Sequence, residues 1–311
     1  MPDLSASLRT LGWLAPGAVL YWLSTFHPAT APVWVPWEFS WLDYLAFAFT
    51  LRWFLRGLRR MSAQQVAVEK RPGVWRLLAF FTGFLAIYGV TQTHYDYMAQ
   101  HMFFLNRLQH VAMHHLGPFL IALANVGAVI ECGMPVWARR ICASRGVAVV
   151  LRVLQQPFIA AVLFVGLFYF WLIPPIHFHA MLDDRLYRLM NWSMVVDGLL
   201  FWSLVLDPRP RPPARIAFGT RLALSASIIF PQIVLGAFVT FAHRDLYPYY
   251  DLCGRLFPAI GALEDQHLAG IVMWIPTSMM GVIGALIVLR ALLNHNPATV
   301  EVNHDSSIAR P

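Results

Sequence analysis

The sequence predicts an all-α membrane protein, a polytopic bundle of seven to eight transmembrane helices. Three observations predict it. The 311 residues are 58% hydrophobic and only 13% charged, where soluble chains carry about 25% charged residues. Apolar runs recur from Leu11 to Leu293, each near the roughly 20 residues a helix needs to cross hydrocarbon. Basic residues collect in alternate loops, which is how a multi-span chain records its orientation.

Eight segments carry the apolar runs: about 10–26, 38–56, 75–92, 104–129, 155–174, 187–206, 216–242 and 267–292. No gap of soluble-domain size interrupts them, so residues 1–293 form a single transmembrane domain. The polar stretch 294–311 reads as a flexible cytoplasmic tail. The first segment has a second reading. Arg9, an apolar run and Ala29-Thr30-Ala31 resemble a cleavable signal peptide. Pro32 directly after the cut argues against cleavage, which would leave seven spans.

The loops differ sharply in charge. Stretches 56–76, 139–152 and 209–221 hold fourteen Lys and Arg, from Arg56 to Arg221, whereas the intervening loops hold only Arg107, Arg185, Arg188, Arg244 and Arg255. The positive-inside rule puts the first set, and both termini, in the cytoplasm of a bacterial inner membrane. The net charge of +7 is thereby explained without nucleic acid. Three cysteines, Cys132, Cys142 and Cys253, form no CxxC pair. There is no GxxxxGK[ST], GxGxxG or GxSxG, and nothing argues for an enzyme.

With this orientation, ten of the twelve histidines fall on the outward, periplasmic side; only His295 and His304 do not. The densest group is Asn106-Arg107-Leu108-Gln109-His110-Val111-Ala112-Met113-His114-His115-Leu116-Gly117-Pro118. Residues four apart share a helix face, so His110 and His114 can present two nitrogens to one ion. Met113 borders that face and offers a thioether, which suits Cu(I) better than zinc. His115, and His101 upstream among Met98 and Met102, are further candidate ligands. Pro118 has no backbone N–H and predicts a kink one turn deeper.

His267 opens the last segment and completes a metal site if that helix neighbours the fourth. Gln109 and Asp265 are candidates to hydrogen-bond the ligating rings. Bland readings stand beside these. Histidines at helix interfaces often only hydrogen-bond to neighbouring helices, and Asp265 equally suits a helix cap. His177 and His179 read as a surface loop. Asp197 is a buried acid that needs a partner, Arg221 or a histidine.

The same residues carry a family resemblance. Leu108-Gln109-His110 through Pro118-Phe119-Leu120, Phe170-Trp171-Leu172-Ile173-Pro174, Asp197-Gly198-Leu199-Leu200-Phe201-Trp202, and Leu246-Tyr247-Pro248-Tyr249-Tyr250 followed by Asp265-Gln266-x-x-Ala269-Gly270-x-x-Met273-Trp274-x-Pro276 resemble, in order and spacing, the multi-span CtaG family of cytochrome c oxidase assembly factors. The resemblance covers about 90–280. It implies a helical membrane bundle that helps form haem–copper oxidase through copper supply, with an oxidase subunit or a copper chaperone as partner. It assigns His110 to the family's histidine pair and Asp265 and Gln266 to its acidic motif. This chain departs from the pattern at Asn106 and Leu172, where the family has histidines.

The expectation is a copper-handling assembly factor. A haem-binding electron-transfer subunit and a metal or solute transporter are the alternatives, the first needing histidines on facing helices and the second paired broken helices near the midplane.

Overall fold

A computed structural model describes residues 4–63 and 71–295, with side chains from residue 12 onward. The predicted tail lies almost wholly at 296–311, outside the described residues, as does His304.

All regular structure among the described residues is helical. The chain runs through α1 (Leu4–Phe26), α2 (Trp41–Ala63), α3 (Val74–Thr91), α4 (Tyr95–His101) and α5 (Phe103–His110). A π-helical turn (Val111–Leu116) then leads into α6 (Gly117–Ala124) and α7 (Gly127–Gly133). Next come α8 (Val136–Cys142), α9 (Arg145–Leu154), α10 (Pro157–Phe170), α11 (Pro174–Leu182) and α12 (Asp184–Val205). The chain closes with α13 (Phe218–Ser227), α14 (Ile229–Thr240), α15 (Tyr249–Leu252) and α16 (Ala262–His295).

By length and composition, the count of spans is lower than seven to eight. Three helical stretches are long and apolar enough to cross a membrane: Val74–Thr91, Phe218–Thr240 and Ala262–His295. Two bent pairs, Phe103–Ala124 with Gly127–Gly133 (78°) and Arg145–Leu154 with Pro157–Phe170 (73°), raise the number to five. The bends have local causes. Asn125 takes a left-handed φ of 48° and donates its N–H to Ala122 O, a helix stop that Asn tolerates. Pro157 opens α10 at a position where its missing N–H costs nothing. α2 and α12 carry charge along their length, Asp43 and Arg52 to Arg60 in one, Asp184 to Arg188 and Asp197 in the other.

The core forms around α16, which packs on α14, α13, α5 and the π turn. Contact between α14 and α16 is at backbone distance: a Cβ on Gly270 would collide with the Thr240 backbone and hydroxyl. Such small-residue seams replace the hydrophobic effect where the surroundings are themselves apolar. Two aromatic layers fill the space beside α16, one around Phe103, Phe168, Tyr247 and Tyr250, the other around Phe164, Phe201 and Trp202.

Loop contacts group at two ends. Arg60 donates to Cys132 O and Arg215 to Leu151 O, so basic side chains cap helix carbonyls of neighbouring segments. Elsewhere, the 27–40 loop meets α4 through His94 N to Val33 O (3.0 Å) and His94 Nδ1 to Val35 O (2.9 Å). Tyr247 Oη donates to Leu172 O across the core (2.9 Å).

Candidate functional site

The site is built on the segment from Phe103 to Pro118. Its first turn is capped by a distant residue: Asp265 Oδ2 accepts from Phe103 N (2.9 Å) and Oδ1 from Phe104 N (2.8 Å). Arg255 pairs with the same carboxylate at 2.8 Å. Asp265 therefore satisfies orphan N–H donors of α5 and pins that helix to the start of α16. Asp265 caps α5 instead of the start of its own helix, and its hydrogen bonds go to backbone N–H and Arg255, not to an imidazole.

Deeper in the segment the helix widens. Gly117 donates its N–H to Ala112 O, five residues back, and Pro118 has no N–H to give to His114 O. That carbonyl instead faces α12 at Gly198, where any Cβ would strike it. The π turn changes the angular spacing of side chains, so the adjacent His114 and His115 both point inward, with ring centroids 4.8 Å apart. Turns of this kind recur at functional sites.

Each imidazole has a distinct set of partners. His114 Nε2 lies 3.0 Å from Asp197 Oδ2, and its ring stacks on Phe164 at 4.1 Å. A carboxylate only accepts, so Nε2 carries the proton and Nδ1 holds a lone pair. That Nδ1 is buried and has no hydrogen-bond partner. His115 Nε2 sits 2.8 Å from Gln232 Nε2; the amide donates, and the ring proton falls on Nδ1. His110 is fully buried, and neither of its nitrogens has a partner.

Asn106 and Arg107, one turn earlier, are also fully buried. Arg107 donates to Asn106 Oδ1 and stands over the Phe103 ring at 5.1 Å. Its Nε and one terminal nitrogen are unpartnered. His177, expected in a surface loop, is instead helical and fully buried. Its Nδ1 donates to Trp171 O (3.2 Å) and its Nε2 accepts from Tyr250 Oη (3.0 Å). Burial, and after it the Arg107 guanidinium, hold this ring well below the usual histidine range, so it is neutral at pH 7.

The other expected ligands lie elsewhere. His267 is half-buried, with Nε2 against Ala242 O at 3.3 Å. His101 bonds Tyr97 O through Nδ1 (2.8 Å) and lies tilted against the Tyr97 ring. Met113 is buried against Ile87 and Val195, between α3 and α12. Gln109 belongs to another cluster, donating to Val90 O (2.7 Å) and Asp96 Oδ1 (2.6 Å). Among the described residues, no three His, Cys, Asp or Glu side chains are grouped to hold a metal ion. The expected convergence of His110, His114 and His267 is corrected on that ground: α16 touches α5 through Asp265, and the His267 ring turns to the end of α14.

Sequence reasoning missed Arg107, assigned to a loop, and Gln232, whose only signal is a polar residue inside an apolar run. Asp197 was expected to find Arg221 or a histidine. It finds His114, while Arg221 donates to the carbonyls of Asp207, Arg209 and Ile216.

The buried polar string is thus Asn106, Arg107, His110, His114 with Asp197, and His115 with Gln232. A family model, the cytochrome c oxidase caa3 assembly factor family, matches residues 52–295, which span this string, its α12 and α14 partners and the Asp265 cap. The chain belongs to that family. No curated protein and no solved structure matches it. In this caa3 assembly factor family member the polar residues of the string are buried among the helices.

Proposed function

We propose that this assembly factor carries copper, as Cu(I), to a haem–copper oxidase, holding the ion between His110 and His114. The observation that carries the reading is the state of these two rings. Both are buried, His114 Nδ1 and both His110 nitrogens are unpartnered, and an unmet buried nitrogen is costly unless something binds it. Asp197 supports it further, because a ligating histidine characteristically donates its other N–H to a carboxylate. Imidazole suits copper. The Arg107 guanidinium one turn away repels a bound cation in proportion to its charge, which favours Cu(I) over divalent ions. Two nitrogens suit a transient cargo better than a closed site would, and the role is handover, not catalysis.

In this reading the chain sits in the bacterial inner membrane with both termini cytoplasmic and His110 toward the periplasmic half. α1, α2 and α12, of 22 or 23 residues, reach about 33 Å at 1.5 Å per residue, enough to cross. Added to the five stretches apolar enough to cross, they bring the bundle to eight spans.

The test is an anaerobic Cu(I) titration of the detergent-purified chain against His110→Ala with His114→Ala. The wild type is expected to bind one equivalent that the double variant lacks; equal stoichiometry removes the site. Oxidase activity in membranes lacking the protein, with and without added copper, separates supply from scaffolding.

A further inference from the structure

A second polar region lies apart from the histidines, between the 27–40 loop, α2, α3, α4 and α12. It is a cavity of about 60 Å³, room for a few water-sized atoms. Four carboxylates line it, Glu38, Asp43, Asp96 and Asp184. None of them forms an ion pair among the described residues; the pairs there are made by other acids. The one guanidinium on the wall, Arg188, gives its Nε to the Asp184 backbone carbonyl at 3.3 Å.

Two of the four are already committed. Asp43 accepts from Trp192 Nε1 (2.6 Å) and Gln92 Nε2 (3.4 Å). Asp96 accepts from Tyr187 Oη (2.8 Å), Gln109 Nε2 (2.6 Å) and Gln100 Nε2 (3.2 Å). Glu38 and Asp184 make no side-chain hydrogen bond among the described residues. Both are solvent-exposed, and Asp184, after burial, raises the Glu38 carboxyl above its ordinary range while the Arg188 guanidinium pulls it down. A third acceptor completes the set: Asn191, in the same wall and 8% exposed, has an Oδ1 without a partner. Four carboxylates against the single Arg188 guanidinium, together with a buried, unmet acceptor, suit a cation with hydrogen-bond donors.

The chemistry selects among cations. The carboxylates are not grouped to chelate a metal. An ammonium group carries three donors, matching the three free acceptors, and the apolar part of the wall, Phe47, Ile87 and Val195, suits a methylene stem. We propose that this cavity binds a primary alkylammonium group, held by Glu38, Asp184 and Asn191 with its stem against Phe47, Ile87 and Val195. The group belongs either to a free amine or to a lysine of a partner polypeptide. The proposal is independent of copper.

The experiment is calorimetric titration of the full, detergent-purified chain with n-butylammonium, with acetyl-Gly-Lys-Gly-amide, with butyltrimethylammonium and with Mg²⁺. Saturable butylammonium binding is expected. Glu38→Gln with Asp184→Asn weakens it at least about tenfold, as loss of charge-assisted contacts demands. Butyltrimethylammonium, which has no donors, does not bind. Thermal unfolding of the ligand-free variant confirms that it is folded, and Asn191→Leu, which keeps both charges, provides a second weakened variant. Tighter binding of the lysyl peptide than of butylammonium assigns the site to a partner's lysine, and the reverse assigns it to a free amine. Absence of butylammonium binding, equal binding of the trimethyl compound, preferential saturation by Mg²⁺, or undiminished binding by the folded double variant overturns the proposal.

Discussion

His114 Nε2 and Asp197 Oδ2 lie 3.0 Å apart, eighty-three residues separated in sequence and joined across two packed helices. The pair fixes which nitrogen of His114 bears the proton and turns the other inward. Replacing the carboxylate by an amide leaves the volume unchanged but removes the fixed orientation. Asp197→Asn is expected to lower Cu(I) affinity by roughly 10–100-fold, the usual cost of losing such a partner, with helix content unchanged by circular dichroism. Unaltered affinity would separate Asp197 from the site.

Asp265 is expected to behave differently, because it holds backbone and Arg255, not a ring. Asp265→Ala strips two N–H donors of their acceptor and leaves Arg255 with only Asp251. The loss is about 3–5 kcal/mol, as for removal of one member of a buried pair, read as a fall in the denaturation midpoint in detergent. Copper stoichiometry in the fraction that remains folded should stay at the wild-type value.

Gly198 meets the carbonyl that Pro118 leaves without an N–H. Gly198→Ala is expected to destabilise the fold by roughly 1–3 kcal/mol through overpacking, whereas Gly219→Ala, with open space around it, should not. Thermal unfolding of the two variants side by side makes the comparison.

Asp96 gives a pH signature. Burial pushes its carboxyl up to about 6, against the ordinary 3.8, despite hydrogen bonds from Tyr187, Gln109 and Gln100 that pull the other way. Between these two values the folded chain binds more protons than the unfolded one, so stability falls as pH rises through this window. Asp96→Asn should abolish that component. Its stability relative to wild type is expected to improve between pH 4 and pH 7 by on the order of 1–2 kcal/mol, measured by denaturation at each pH.

Composition and apolar runs were enough to find the all-helical class and the longer helices, but not short ones such as α4, α8 and α15. They could not find the bends: Asn125 and Pro157 act through single-residue geometry inside runs that look continuous. The four-residue spacing marked His110 and His114 as candidates, and both are buried. What that spacing could not convey was the extra residue in the turn between them, which depends on Pro118 and on how closely α12 approaches at Gly198. Arg107 looked like loop charge because a lone arginine beside apolar residues normally stays wet. Asp265 was visible as important through its motif, but its cap on α5 is a contact between segments 161 residues apart, and no local pattern encodes such a distance.

The widened turn also separates two halves of one helix in rotation. One surplus residue corresponds to about 100° of helical phase, so the faces before Val111 and after Leu116 are set independently of each other. Residues of the Asn106–His110 half can be exchanged without rotating the lower half away from its seat against α3. Phase slippage of this sort lets a helical scaffold keep its packing in one half while side chains in the other half vary.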